Sequence, residues 1–231
     1  MIEVQQLVKF YSQKFSLNID HYSIQPGECV GLVGNNGAGK TTLLSLILDL
    51  IKATKGEVLS KGEPVAQNEH WKSYTSAFLD EHFLIDFLTP KEYFEFVGKL
   101  RGLAPADTQE FVAHYSDFLT EETIQQKQYI RNLSAGNKSK IGIVAALMGN
   151  PELILLDEPF AHLDPTSQNR LKNILDGYKN QPNVSLIISS HDLKHVTEIC
   201  SRITILHQGQ LQKDMATTSE TLKELERYFA V

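Results

Sequence analysis

The apolar and polar positions of this chain fall into runs that predict its elements one after another. Residues 2–33 carry short alternating stretches, clearest where Phe15, Leu17 and Ile19 alternate with Ser16 and Asn18, and the alternation breaks at Pro26 and Gly27. It predicts short antiparallel strands. Residues 29–33 are apolar throughout, the pattern of a buried strand, and Leu43, Leu44, Ile47, Leu48 and Ile51 then recur at helical spacing. A short strand pair is predicted at 56–60 and 64–65. From about residue 82 the period becomes helical. Thr89, Pro90 and Glu92 form a capping-box start ahead of Tyr93, Phe94, Phe96, Val97 and Leu100. Further helices are predicted near 106–119 and 138–148, the second stopped by Gly149, Asn150 and Pro151. Apolar runs return at 153–156 and 184–189 and predict two more core strands. Beyond them Leu193, Val196, Ile199 and Cys200 mark the buried face of a helix. Strand segments at 202–206 and 210–212 flank a Gln208-Gly209 turn, and a short amphipathic helix starts at Ser219.

The junction after the first buried run carries the strongest chemical signal. Gly34, Asn35, Asn36, Gly37, Ala38, Gly39, Lys40, Thr41 and Thr42 satisfy G-x-x-x-x-G-K-[ST] in full, between a predicted strand and a predicted helix. Glycines let successive backbone N–H groups point at phosphate oxygens, and the new helix adds its positive end. Lys40 supplies a point charge for the β- and γ-phosphates and Thr41 a hydroxyl for Mg²⁺. A nucleoside triphosphate is the expected ligand.

The run at 153–156 ends in Asp157 and Glu158, an expensive place for charge unless a cation or a reaction needs it. Beside an intact phosphate loop, Asp157 reads as a partner of Mg²⁺ and Glu158 as the group that polarises the attacking water, with an acidic helix cap as the alternative. His191 follows the run at 184–189, where α/β sites gather, and reads as a contact for the γ-phosphate or the water. His195, one turn on, reads as a surface or packing histidine, and the other six histidines show no metal-ligand spacing. Tyr11 lies upstream of the phosphate loop, and chemistry alone reads it as strand packing rather than base stacking.

Composition narrows the class. The 231 residues suffice for one large core, or for one core with an inserted subdomain. The two cysteines, Cys29 and Cys200, sit in apolar contexts and read as buried thiols of a reducing compartment. Residues 1–10 lack the apolar stretch of a signal peptide, so a cytoplasmic location is expected. The longest weakly interrupted apolar run, 141–148, is far below the roughly 20 residues of a membrane span. A net charge of −6 provides no footprint for nucleic acid, and no internal repeat is present.

The motifs together resemble the nucleotide-binding subunit of an ABC transporter, over essentially the whole chain. Leu133, Ser134, Ala135, Gly136 and Asn137, ahead of the carboxylate strand, look like the signature sequence that separates this family from other P-loop NTPases. The resemblance implies an α/β fold, with a RecA-like P-loop NTPase core and an antiparallel β-subdomain at 1–81 and 149–231 and an inserted α-helical subdomain at 82–148. It implies ATP and Mg²⁺ as ligands, Tyr11 as the adenine-stacking aromatic, Asp157 as the Walker B aspartate and Glu158 as the catalytic base. Asp164 takes the D-loop position and His191 that of the switch histidine. Two subunits, identical or different, are then expected to pair head to tail around two nucleotides. Ser134, as a helix N-cap followed by Gly136, would present N–H groups and a helix end to the opposite γ-phosphate.

Four positions depart from the family pattern. Asp80 stands at the Q-loop glutamine position, which would face Mg²⁺, and a carboxylate cannot copy an amide's donors. Ala135 and Asn137 replace the commoner glycine and glutamine of the signature, and His162 replaces a small D-loop residue. The family role implied is to power a separate integral membrane permease, more often an exporter. The alternative is a soluble mechanical or regulatory ATPase, of which the mechanical kind usually carries a coiled-coil insertion or a tandem module. The apolar segment 82–88, with Phe83, Leu84 and Phe87, is expected either to pack the helical insertion onto the core or to line the groove that receives a permease helix.

Overall fold

A computed structural model of the chain describes every residue except 13–14, 121–122, 125–126 and 231. In chain order the elements start with β1 (Ile2–Ser12), β2 (Phe15–Ile24), β3 (Cys29–Val33), α1 (Lys40–Ile47), β4 (Lys55–Ser60), β5 (Glu63–Pro64), α2 (Trp71–Tyr74) and β6 (Thr75–Phe78). Helices then dominate: α3 (Pro90–Leu100), α4 (Pro105–His114), α5 (Ser116–Leu119) and α6 (Ala135–Ala146). The chain closes with β7 (Leu153–Asp157), α7 (Pro165–Lys179), β8 (Ser185–Ser190), α8 (Leu193–Ile199), β9 (Arg202–His207), β10 (Gln210–Ala216) and α9 (Thr221–Phe229).

One sheet has the order β10-β9-β3-β8-β7-β6, in which β9, β3, β8, β7 and β6 run parallel and β10 pairs antiparallel at the edge. Its central strands β3, β7 and β8 are buried along their whole length, which is why they read as unbroken apolar runs. Alternate residues serve two cores. Leu153, Leu155 and Ile187 join α1 and the smaller sheet, whereas Ile154, Leu156, Leu186 and Ile188 face the helices.

The smaller sheet, β2-β1-β4-β5, is antiparallel. Its hairpin strands are longer than the alternation predicts, because β1 carries an irregularity between Gln5 and Val8, with Gln6 at φ 47°. The bulge shifts the alternation by one position, so a single strand looks like two. Helix α1 is shorter than predicted. Leu48 caps it and Asp49 turns to φ 49°, which leaves Ile51 outside the helix. Cys29 and Cys200 are both buried, and Cys200 meets Cys29 in a hydrogen bond that, with burial, raises its thiol well above the usual range. The two thiols are distant only in sequence.

The arrangement that matters for function is the neighbourhood of β3, β8 and β7. Val33 is level with Ser190, and Asp157 is level with Ser189. The segments that leave the C-terminal ends of these three strands, beginning at Gly34, His191 and Glu158, therefore start side by side.

Candidate functional site

The phosphate loop connects β3 to α1. Gly39 precedes the helix at φ 109° and Gly37 adopts φ 81°, conformations that a side chain would strain. The first turn of α1 holds no acidic residue and opens on Lys40 and Thr41. Its free N–H groups and positive end thus point into the cavity above the sheet. That cavity measures about 380 Å³ and is lined by residues 36–42, Tyr11 and Glu158.

Side chains of three strand ends meet at its floor. Lys40, only 6 % exposed, donates to the Gly34 carbonyl at 2.7 Å and lies 3.3 Å from Glu158 Oε1. The other oxygen, Glu158 Oε2, accepts from the His191 backbone N–H at 3.2 Å and lies 2.8 Å from His191 Nδ1. Glu158 is thus held from two sides. Its backbone sits at φ 48°, a conformation costing about 1–3 kcal/mol for a residue with a Cβ, and such strain gathers at working sites.

Asp157 occupies the adjoining position. Thr41 Oγ1 and Ser189 Oγ each donate to its carboxylate, and Ser189 Oγ in turn accepts from the Glu158 N–H at 3.0 Å. Burial pushes the Asp157 carboxyl above the usual carboxylate range, and the charge of Glu158 adds to it. A cation beside Asp157 would relieve that cost. The donor set, a hydroxyl and a carboxylate beside a phosphate cavity, fits a hard ion such as Mg²⁺ that takes its remaining oxygens from substrate and water. Among the described residues no group of three or more His, Cys, Asp or Glu is placed to hold a metal by itself.

Ser189 escaped the sequence reading. A serine in an apolar run passes for strand filling, and its role follows only from the pairing of β7 with β8. The signal available was its place, fully buried, just before the strand end that carries His191.

The remaining predicted residues lie at the cavity rim or outside it. Tyr11 is 56 % exposed at the cavity rim, with Lys9 Nζ 5.4 Å from its ring centroid. Ser134 caps α6 by accepting from the Asn137 N–H at 3.3 Å, and a Cβ added to Gly136 would sit 2.7 Å from the His162 carbonyl oxygen. Gly136 therefore lets the signature helix press on the 158–164 turn of the same chain, where His162 itself adopts φ 61°. Asp164 caps α7 by accepting from Ser167 at 3.0 Å, and these Ser167 bonds hold its carboxyl below the usual range. Asp80 caps a short 3-10 turn, its Oδ1 accepting from the His82 N–H at 2.8 Å and touching the His82 ring. Burial raises its carboxyl, but those bonds and the charges of His82 and His162 leave it below the usual range. Ala135 and Asn137 fall in the first turn of α6.

A model of the ABC transporter family matches residues 17–161, from the first hairpin to just past the paired carboxylates. This chain belongs to the ABC transporter family. The ABC transporter ATP-binding protein sll0415 of Synechocystis is 32 % identical over 91 % of the chain, and the chain spans 61 % of that relative's length. The linearmycin resistance ATP-binding protein LnrL of Bacillus subtilis is 33 % identical over 91 % of the chain and 68 % of its own length. Among solved structures, the dimeric post-hydrolysis state of the ATP-binding cassette MJ0796 bound to ADP and Pi superposes with a TM-score of 0.81. It covers 95 % of this chain and 100 % of that one at 22 % identity, a likeness of fold. The cassette fold accounts for both sheets, and no helix among the described residues is long and apolar enough to cross a membrane.

Proposed function

We propose that this cassette binds ATP with Mg²⁺, hydrolyses it, and powers a separate integral membrane permease that exports its substrate. The observation that carries the reading is the linked set Lys40–Glu158–His191 and Thr41–Asp157–Ser189 beside the phosphate loop. Lys40 and the loop N–H groups hold the β- and γ-phosphates. Glu158, aimed by His191 and Lys40, accepts a proton from the attacking water as its oxygen approaches the γ-phosphorus. Mg²⁺ held by Thr41 and Asp157 neutralises charge on the phosphate oxygens when it is bound. Tyr11 stacks on the base, and His191 contacts the γ-phosphate. The division into a core (1–81 and 149–231) and a helical insertion (82–148) gives the partner something to move.

The export sense follows from a relative named for antibiotic resistance, since resistance is what removal of a drug confers. A dimer in which Ser134 and its helix end face the opposite nucleotide is supported by a first turn of α6 without acidic residues. Docking is proposed at the 82–88 segment. Phe83 and Phe87 are 62 % and 63 % exposed, while Leu84 is buried and, with Tyr93 and Val97, lines a groove of about 150 Å³. Leu84 is thus the buried side chain of the segment, and the two phenylalanines keep most of their surface exposed.

The test is Phe83→Ser and Phe87→Ser in the full chain, scoring basal hydrolysis and recovery with the membrane fraction. Basal hydrolysis should persist while membrane recovery is lost. Undiminished recovery of the double variant would place the dock elsewhere, and absence of phosphate release from the parent chain would remove the ATPase reading itself.

A further inference from the structure

Glu158 and His191 sit on different loops, and something must hold those loops in register. Beyond their own contact and the Ser189 bond to the Glu158 N–H, a second buried side chain joins the two segments from behind. His195, on α8, is only 8 % exposed, and its ring stacks on Phe160 with centroids 4.4 Å apart and planes inclined by 25°. Phe160 is two residues past Glu158, inside the tight turn closed by the Ala161 N–H on the Glu158 carbonyl at 3.0 Å. On its other side, His195 Nε2 lies 3.5 Å from Asp192 Oδ2, and Asp192 is the residue after His191. The contacts close a ring: Glu158 to His191, Asp192 to His195, His195 to Phe160, and Phe160 back along the chain to Glu158.

We propose that His195 is a positioning residue for hydrolysis, holding the loop that carries His191 against the loop that carries Glu158. The proposal rests on the roles given above to those two residues. Packing alone accounts poorly for the choice of side chain. His195 Nδ1 is buried with no hydrogen-bond partner among the described residues, a cost that an apolar ring would avoid. What histidine adds over such a ring is the polar contact with Asp192. The groups around it are Asp192, which caps α8, Lys194 and Glu198 of α8, and Lys172 of α7, the last paired with Glu198. Burial lowers the His195 pKa, with Asp192 opposing. Burial thus favours the neutral ring, which has Nε2 on the Asp192 side and Nδ1 left inside.

The experiment compares His195→Ala and His195→Phe with the parent full chain in Mg²⁺ and ATP, measuring kcat, KM for ATP and melting temperature, with Glu158→Gln alongside. His195→Ala is expected to lower kcat about tenfold and to leave KM within about twofold, because the phosphate loop does not touch His195. His195→Phe keeps the stack and loses the Asp192 contact. It should melt no lower than the parent yet remain slower by about threefold or more. Parent-like kcat in His195→Phe would overturn the proposal and leave a packing residue, as would a fall in His195→Ala that appears in KM rather than kcat. Parent-like turnover by Glu158→Gln would instead strike the underlying assignment of the base.

Discussion

The strand-end half of the site and the half built from the signature, the 158–164 turn and Asp80 are made on different plans. In the first, side chains from the start of α1 and from the ends of β7 and β8 satisfy one another: Lys40 with Glu158, Glu158 with His191, and Asp157 with Thr41 and Ser189. In the second, the polar side chains make their hydrogen bonds to their own local elements, with Lys140 of α6 3.9 Å from Asp164 as a longer ion pair. Ser134 caps α6, Asp164 caps α7 and Asp80 caps its own turn. The first half is the centre to which the proposed function assigns the reaction. The second is built of capped helix ends, as expected of a surface that meets a second subunit's nucleotide.

Substitutions should therefore separate by half. Lys40→Ala has the largest expected effect: it removes the one buried cation at the phosphate loop, and ATP affinity by calorimetry should fall by roughly a hundredfold or more. Affinity within threefold of the parent would break the assignment of the strand-end half. Ser134→Arg should act differently. It should leave ATP binding by a single subunit within about twofold while abolishing the ATP-dependent dimer seen by light scattering, since a bulky cation replaces the cap. A dimer that persists would remove the distinction between the halves.

The smallest effect concerns stability and has an opposite sign to activity. The fold raises the Asp157 carboxyl, so it favours the protonated form, and the stability this confers is present at low pH and lost as pH rises through the raised value. At neutral pH the ionised group is a cost. Asp157→Asn should melt about 2–4 °C higher than the parent without nucleotide, the equivalent of about 1 kcal/mol in a chain of this length, while hydrolysis collapses. The gain should shrink on acidification. A lower melting temperature at neutral pH would mean that the two hydroxyl donors outweigh the burial cost.

Legibility in the sequence followed locality. The phosphate loop, the paired carboxylates and the capping box at Thr89 depend on residues a few positions apart, and all were readable. What depended on pairing was not. Ser189 acquires its role only when β8 lies beside β7, and β6, with Thr75 and Ser76 in a four-residue strand, shows no apolar run to announce it. The bulge at Gln6 hid the length of the first strand. His195 was readable as a packing histidine, but its stack on Phe160 joins positions 35 residues apart in sequence.

The central claim is that Glu158, held by Lys40 and His191 of its own chain, accepts the proton of the attacking water. Glu158→Gln keeps the shape and the contacts to Lys40 and His191 but cannot act as a base, so phosphate release in Mg²⁺ and ATP should fall by about a hundredfold or more with ATP affinity retained. Phosphate release at the parent rate from a correctly folded, ATP-binding Glu158→Gln would contradict it.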